Sequence, residues 1–565
     1  MAGFRSFALL SFFTLYMSSE ARAQAPFIAY RGVVNAASLA PPGLPQSGIA
    51  RGSIFTIFGS NLGPSTPATV SEFPLGPTFQ GVNVSVVQGG VSVSAIPIFV
   101  SANQLNVIMP SGAPVGPSLI RVGYQGRLGN SVQVEIVDNA PGLFAASSGG
   151  YGPAVVQNFI TAGERPINTL DNAAVRGQVV TIYATGLGRV PFPDNVAPTP
   201  TPIEAAVSVR VGERDATVLY AGRSPCCAGL DQIDIRIPDD APLGCYVPLR
   251  VKAGNGVSNT VTIAISGATT AAAALSCTDT LNPFTDLIRR SRRQGLIHFT
   301  RTNALIDSYN AATEQNVTDS IRATFVNRPA SPFLFDPYFS YPAPNTCWLQ
   351  QASGNVFKGA PLRGAIPESQ ALDAGASLRL TTPSNGNAVV PKVTAPHAGY
   401  AEVVGSQRNS DGTGGLKFEF FNATRLDGNA GSAVGNFSAS INSTNLFNWT
   451  ERPTIDRISR SFPFRAFFTP NDSTAPTVLS LVSYTAQSNA TVAITCLIPP
   501  SVQNFTIPVD LLAHLPPSPT RYDGSFSMLG MGVIPLPRAV PFTAPGLDGG
   551  LSVFSQWLTR SVYIQ

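Results

Sequence analysis

The chain has 565 residues, 44% of them apolar and only 12% charged, with a formal net charge of +4, 51 Gly and 49 Pro. This apolar content supports real cores and excludes a disordered chain, and the length calls for roughly three or four domains. So many turn formers disfavour long helices, and a small net charge without a basic domain excludes a nucleic-acid binder.

The first 23 residues read as a signal peptide: Arg5 supplies the positive end, Phe7 to Met17 the apolar run, and Ala21-Arg22-Ala23 the small-x-small cleavage pattern. The mature chain is expected to begin at Gln24 and to be secreted or held in the cell envelope. No later run approaches about 18 apolar residues, so no integral membrane span is expected. The first cysteine is Cys226, so none near the cleavage site can carry a lipid anchor.

Residues 24–49 read as a lead-in segment with one strand, Gly32-Val33-Val34-Asn35. A first repeat follows over 50–137, opened by Arg51-Gly52-Ser53-Ile54-Phe55-Thr56-Ile57-Phe58-Gly59-Ser60-Asn61-Leu62-Gly63. β-branched and aromatic residues between an Arg-Gly opening and a Gly turn make this a central strand. Further strands are predicted over 82–87, 91–96, 104–108, 119–122 and 132–136, the last with Val132, Val134 and Ile136 on one face and Gln133 and Glu135 on the other. Residues 138–174 form a bridge. The opening then recurs at Arg176-Gly177-Gln178-Val179-Val180-Thr181-Ile182-Tyr183-Ala184-Thr185-Gly186-Leu187-Gly188, starting a second repeat over 175–266. Gln104-Leu105-Asn106 and Pro110 match Gln232-Ile233-Asp234 and Pro238, and Asn130 matches Asn259. Near-constant offsets that drift only between strands indicate duplication of a whole domain.

Seven or so short strands with regular turn signals give an all-β reading: tandem immunoglobulin-like β-sandwiches followed by a β-rich C-terminal region. The Gly-x-x-x-Thr-Ile-x-Gly-x-x-Leu-Gly run resembles the opening strand of IPT/TIG domains, although Ala184 stands in the second copy where the first has Gly59. More broadly, the chain resembles a family of acidobacterial (Solibacter-type) secreted proteins of unknown function. That likeness is carried by Val34-Asn35-Ala36-Ala37-Ser38, by residues 224–232 and 244–248, by Ser258-Asn259-Thr260-Val261, and by Leu372-Asp373-Ala374-Gly375 and residues 434–439. It covers most of the mature chain. It implies fold and export, and brings no catalytic residue.

Residues 267–282 read as a low-complexity linker, and 283–565 as one or two β-rich domains with candidate strands over 295–300, 321–326, 378–380, 417–421, 436–441, 492–497 and 505–507. Pro508 to Ala513 reads as a single helical turn with Pro at its first position. Arg289-Arg290-Ser291-Arg292-Arg293 reads as a solvated hinge, with an acidic polymer or anionic lipid surface as the alternative partner.

Six cysteines in an exported chain read as three disulfides. Cys347 is paired with Cys496. Among Cys226, Cys227, Cys245 and Cys277, the favoured pairing joins Cys226 and Cys227 separately to Cys245 and Cys277, since a bond between neighbours strains the peptide. A vicinal Cys226–Cys227 bond is the alternative.

Catalytic constellations are not found. His298, His397 and His514 show no His-Glu-x-x-His spacing, and no Gly-x-Ser-x-Gly elbow, Walker loop or dinucleotide fingerprint is present. Asn409-Ser410-Asp411-Gly412-Thr413-Gly414-Gly415 lacks the closing acidic residue of a calcium loop and reads as a hairpin tip. No catalytic, metal or cofactor residue is assigned, and no cofactor is expected. Trp348, Trp449 and Trp557 all fall in the C-terminal region, either as core or as a stacking surface for sugar rings. The expected function is therefore non-enzymatic recognition or adhesion, with a polysaccharide or protein as the extracellular ligand. A carbohydrate-active enzyme or accessory module with its site in 283–565 and an envelope scaffold for a protein partner are the rivals.

Overall fold

The computed structural model describes residues 24–307, 314–329, 331–336, 339–358, 370–382, 386–394, 399–409, 424–441, 447–470, 474–519, 521–534 and 539–565. The expected signal peptide, His397, the predicted strand 417–421 and all but the first residue of the predicted Asn409–Gly415 hairpin tip lie outside them. The all-β expectation holds: three large sheets carry almost all the regular structure.

The first sandwich runs, in sheet order, through Phe27–Asn35, Ile54–Ser60, Gln104–Ile108, Val91–Val100, Val82–Gln88, Gly116–Tyr124, Arg127–Val137 and Ile49–Ala50. Val91–Val100 joins its two layers, pairing with Val82–Gln88 through its first half and Gln104–Ile108 through its second. The core between the layers is aliphatic, with Ile57, Val84, Leu105 and Ile120 buried. The lead-in segment is part of this sandwich, because Phe27–Asn35 pairs with the repeated strand itself.

The second sandwich repeats the arrangement. Val179–Thr185 lies beside Asp231–Arg236, and Arg214–Arg223 joins the layers. Its bridge is likewise structural, with Gly142–Leu143 and Val156–Asn158 both pairing with Val179–Thr185. The two repeats are locked together where the Arg-Gly opening of the first copy of the motif meets the Gly turn that closes the second. Buried Arg223 forms an ion pair with fully buried Asp231 and donates to the carbonyls of Gly52 (2.7 Å) and Gly188 (3.3 Å).

The C-terminal region is built on one fourteen-stranded sheet. Its spine is Arg293–Ile306, antiparallel to Glu314–Asn327 and parallel to Gly549–Ser561. A parallel pairing between segments some 250 residues apart leaves no local signal. The basic cluster also differs from expectation. Pro283–Arg290 is a helix capped by the Asn282 side chain, with Pro at its first turn. Arg289 reaches back to the Cys277 carbonyl and sulfur, while Arg293 donates to the carbonyls of Gly546 and Ala433. These guanidiniums tie segments together instead of forming a solvated hinge. Near residue 508, Val509–Leu512 is a helical turn with Pro508 at its N-cap, so the turn starts one position later than expected.

Three disulfides are present: Cys347–Cys496, as expected, Cys245–Cys277 and Cys226–Cys227. The favoured cross-pairing of Cys226 and Cys227 is corrected. Both sit exposed on a loop whose next residues, Ala228 and Gly229, pack on Ile54 and Ile108 of the first repeat. Cys245 is instead enclosed with Tyr246, Phe335 and Trp348, where Cys277 reaches it from the linker.

His514 is 1% exposed, and neither ring nitrogen has a hydrogen-bond partner. Burial pushes its imidazole down to about 4, with Asp510 opposing and Arg250 and Arg460 reinforcing the shift. An unfolded histidine takes its proton near pH 6.5, so this site stabilises the fold above that pH and loses its contribution as pH falls toward 4. Asp279, raised to about 6 by burial, acts in the opposite sense and loses its contribution as pH rises through 6. His514→Leu should therefore flatten the wild-type loss between pH 6.5 and 4 by about 3 kcal/mol. Denaturant titrations of both proteins across that range measure it, and parallel profiles would refute it.

Candidate functional site

Alternation along the C-terminal strands gives the large sheet two unlike faces. Ile297, Phe299, Ile321, Phe325, Leu479 and Leu529 face the main core. On the opposite, outward face, the helix Pro283–Arg290 and residues Phe339 and Tyr341 cover Leu296, Val478, Leu497 and Val553. Trp557 packs at the margin of that cover. Beyond it the half-buried outward residues are mostly hydroxyl-bearing: Thr302, Thr318 and Ser320 to one side, Ser480 and Thr495 to the other.

Trp557 lies in register between Gly532 and Thr302. A Cβ on Gly532 would sit 2.5, 2.6 and 2.8 Å from the indole Cδ2, Cε2 and Cε3 atoms, and one on Gly530 would be 3.5 Å from Cε3. The ring fusion therefore lies down on bare glycine backbone. One face of the indole meets the sheet, and the half-buried ring keeps part of its surface open to solvent. Any side chain at position 532 would lift the ring.

The same strand runs on through Thr559 and Ser561, which are buried at 6% and 8% exposure, to a point ~13 Å from Trp557 at strand rise. There it meets a pocket of about 290 Å³ lined by Ile306, Asp307, Tyr522, Phe526, Ser561 and Tyr563, among others. Tyr522 is 67% exposed, and Phe526 is held edge-on against Phe357 at 5.1 Å. The Asp307 amide donates to the Ser561 hydroxyl (2.8 Å), and its carboxylate accepts from Arg560 (2.7 Å). The pocket's acid is thus charge-balanced. Aromatic faces at two points, with the half-buried hydroxyls of Thr302, Thr318 and Ser320 beside the first and a charge-balanced acid at the second, suit a neutral ligand having apolar C–H faces and hydroxyl rims.

His298 contacts the Ser555 hydroxyl at 2.7 Å on this face. The geometry does not make a nucleophile. Ser555 is fully buried, and the register neighbour of His298 is Arg322, a cation where an orienting carboxylate would stand. Packing and Arg322 together hold the imidazole down at about 4. Among the described residues, no group of three or more His, Cys, Asp or Glu could hold a metal ion.

The three tryptophans divide. Trp348 and Trp449 are 4% and 2% exposed, so neither offers a ring face to a sugar. Trp348 packs with Phe335 beside the Cys245–Cys277 bond. Only Trp557 fits the stacking role. Sequence reasoning missed Asp307, Tyr522 and Phe526, since Asp307 meets the other two from more than 200 residues away. The one available signal was Gly530-Met531-Gly532, two glycines at strand spacing that clear one face of a sheet.

No family model and no curated protein matches the chain. Among solved structures, SGBP-B of the Bacteroides ovatus mixed-linkage glucan utilization locus, in complex with a mixed-linkage heptasaccharide, is 15% identical with a TM-score of 0.20. That match covers 40% of this chain and 46% of the other, so the chain spans less than half of its length. SGBP-B from a complex xyloglucan utilization locus in Bacteroides uniformis is 10% identical, covering 90% and 94% with a TM-score of 0.15. Titin domains A168–A170 are 11% identical, covering 69% and 91% with a TM-score of 0.12. The all-β assignment rests on the strand ladders themselves.

Proposed function

We propose that this is an exported, non-enzymatic recognition protein. It binds a neutral polysaccharide along the outward face of its C-terminal sheet, from Trp557 to the Tyr522 pocket. In this reading the two IPT/TIG-like sandwiches carry and orient that face, and the three disulfides suit an oxidising location outside the cytosol. The observation that carries the proposal is the indole laid flat over Gly532, with hydroxyl side chains beyond it. A ring already immobilised by its own backbone floor loses little freedom on stacking, so the contact stabilises binding with small entropic cost.

The test is titration of the oxidised full chain against a panel of neutral polysaccharides, with reducing sugar assayed in the same samples. Trp557→Ala is expected to weaken binding by roughly thirtyfold, the loss of about 2 kcal/mol usual for a central aromatic anchor, and Trp557→Phe by less. Equal affinity for wild type and Trp557→Ala would remove the site. Release of sugar would replace the reading with a hydrolytic one.

A further inference from the structure

The first sandwich carries a cleft of about 1380 Å³, larger than the roughly 300–1,000 Å³ of a small-molecule pocket. It is lined by Phe27–Asn35 at one end of that sheet, by Arg127–Val137 next to the other end and by the segment 42–49, with Asn255 and Gly256 of the second repeat and Gln487 of the C-terminal region at its sides. Between Ser131 and Glu135, no described strand pairs with the outer edge of Arg127–Val137; Ile49–Ala50 reaches only Ile136 and Val137. Val137 accepts from the Arg51 amide on that side. Alternate residues of an antiparallel strand point their backbone groups the same way, so the N–H and C=O of Ser131, Gln133 and Glu135 face the cleft.

The second repeat shows what such an edge takes. Asn130 closes the seam of the first repeat by accepting from the Ile28 amide (2.7 Å) and donating to its carbonyl (3.0 Å). Asn259 does the same to Leu143 in the second, at 2.8 and 3.0 Å. Counting from these aligned asparagines, Thr262 is the counterpart of Gln133. Thr262 exchanges both backbone bonds with an extended stretch of its own chain, donating to Gly152 O and accepting from Ala154 N, each at 2.8 Å. That stretch belongs to the long excursion 144–155 between the two halves of the first strand. In the first repeat the corresponding excursion is only 29–32, too short to return along the edge. The consequence shows in burial: Val261–Ile265 is buried throughout, whereas Gln133 and Glu135 stand exposed.

We infer that the open edge Ser131–Glu135 of the first sandwich receives an extended polypeptide segment from a partner protein by β-strand addition. The segment occupies the place that residues 152–154 fill in the second repeat. Main-chain bonds to Gln133 and its neighbours supply affinity in this mode, and side-chain positions alternate between cleft and solvent. Phe27 and Tyr30, 53% and 82% exposed on the facing wall, form an apolar flank for the inward side chains. Small apolar residues at alternate positions fit the cleft, as Gly152 and Ala154 do in the filled copy.

The experiment is amide hydrogen exchange on the oxidised full chain, with and without a synthetic peptide of residues 148–157 as the probe. In the free protein, Gln133 and Glu135 should exchange fast while Val132 and Val134, paired with the neighbouring strand, are protected. Saturating peptide should slow Gln133 and Glu135 at least tenfold, and Gln133→Pro, which deletes one edge donor, should weaken peptide binding tenfold or more. Trp557→Ala should leave peptide binding unchanged, which separates this site from the glycan face. Protection of both amides in the free protein, or no slowing at saturation, would overturn the inference. Slowing by a neutral polysaccharide but not by peptide would overturn it in favour of a second glycan site. If Gln133→Pro fails to fold, the wild-type exchange pattern decides alone.

Discussion

Replacing Arg250 with methionine is expected to destabilise the protein by about 3–5 kcal/mol, the usual cost of removing one partner from a buried charge network. Arg250 lies on Gly244–Ala253 of the second sandwich and is 2% exposed. It donates to both carboxylate oxygens of Glu213 at 3.2 and 2.8 Å, to Asp510 at 3.1 Å and to the Cys347 carbonyl at 3.2 Å. Those last two partners belong to the C-terminal region. Methionine would fill much of the volume but remove the cation from Glu213 and Asp510, which are 22% and 20% exposed, leaving only Arg210, 3.8 Å from Asp510. Adding Glu213→Gln and Asp510→Asn should recover most of the loss, because the penalty comes from unpaired charge, not from a missing attraction. Urea denaturation of the three proteins measures it. A change below about 1 kcal/mol in Arg250→Met would mean that water or neighbouring groups satisfy the carboxylates. Because the network bridges two units, Arg250→Met should also separate their unfolding transitions.

Removing the Cys347–Cys496 bond by the double substitution to alanine should lower the stability of the C-terminal region by up to about 5 kcal/mol. The bond joins residues directly opposite each other on Thr346–Ser353 and Ala490–Ile498, with a sequence separation of 149. It therefore constrains a very long loop in the unfolded chain, where the entropic restriction is largest. Residual structure in the unfolded state makes this an upper figure. The same argument gives almost nothing for Cys226–Cys227, whose separation is 1, so that pair is an internal control. Trp348, Trp449 and Trp557 all report on the C-terminal region, which lets intrinsic fluorescence follow its transition specifically. Similar midpoints for the two double variants would refute the loop-entropy account.

The two predictions draw on differently legible parts of the chain. Cys347–Cys496 was evident from cysteine arithmetic, because both residues stand apart from the other four. The Arg250 network was not. Nothing around Glu213, Arg250 or Asp510 marks them as neighbours, since they meet only when one sandwich docks on the C-terminal sheet. The candidate glycan face divides in the same way. Trp557 was visible as one aromatic among three, but its distinction from Trp348 and Trp449 depends on Gly530 and Gly532 lying beneath it across a strand ladder.

The sequence by itself determined the all-β class, the duplicated sandwich and the cysteine content. Each is written in local terms: period-two patterning, Gly and Pro turns, and two copies of one motif at a near-constant offset. Even the aligned Asn130 and Asn259 were visible, although not that each closes a seam. The tertiary structure alone decided which edges are closed and which aromatics are buried. It also decided that Arg293–Ile306 pairs in parallel with Gly549–Ser561 and that Cys226 bonds to Cys227. These depend on segments brought together by burial of a shared core. Hydrophobic burial is non-directional, so it fixes that such segments meet without recording in either one which partner it will find.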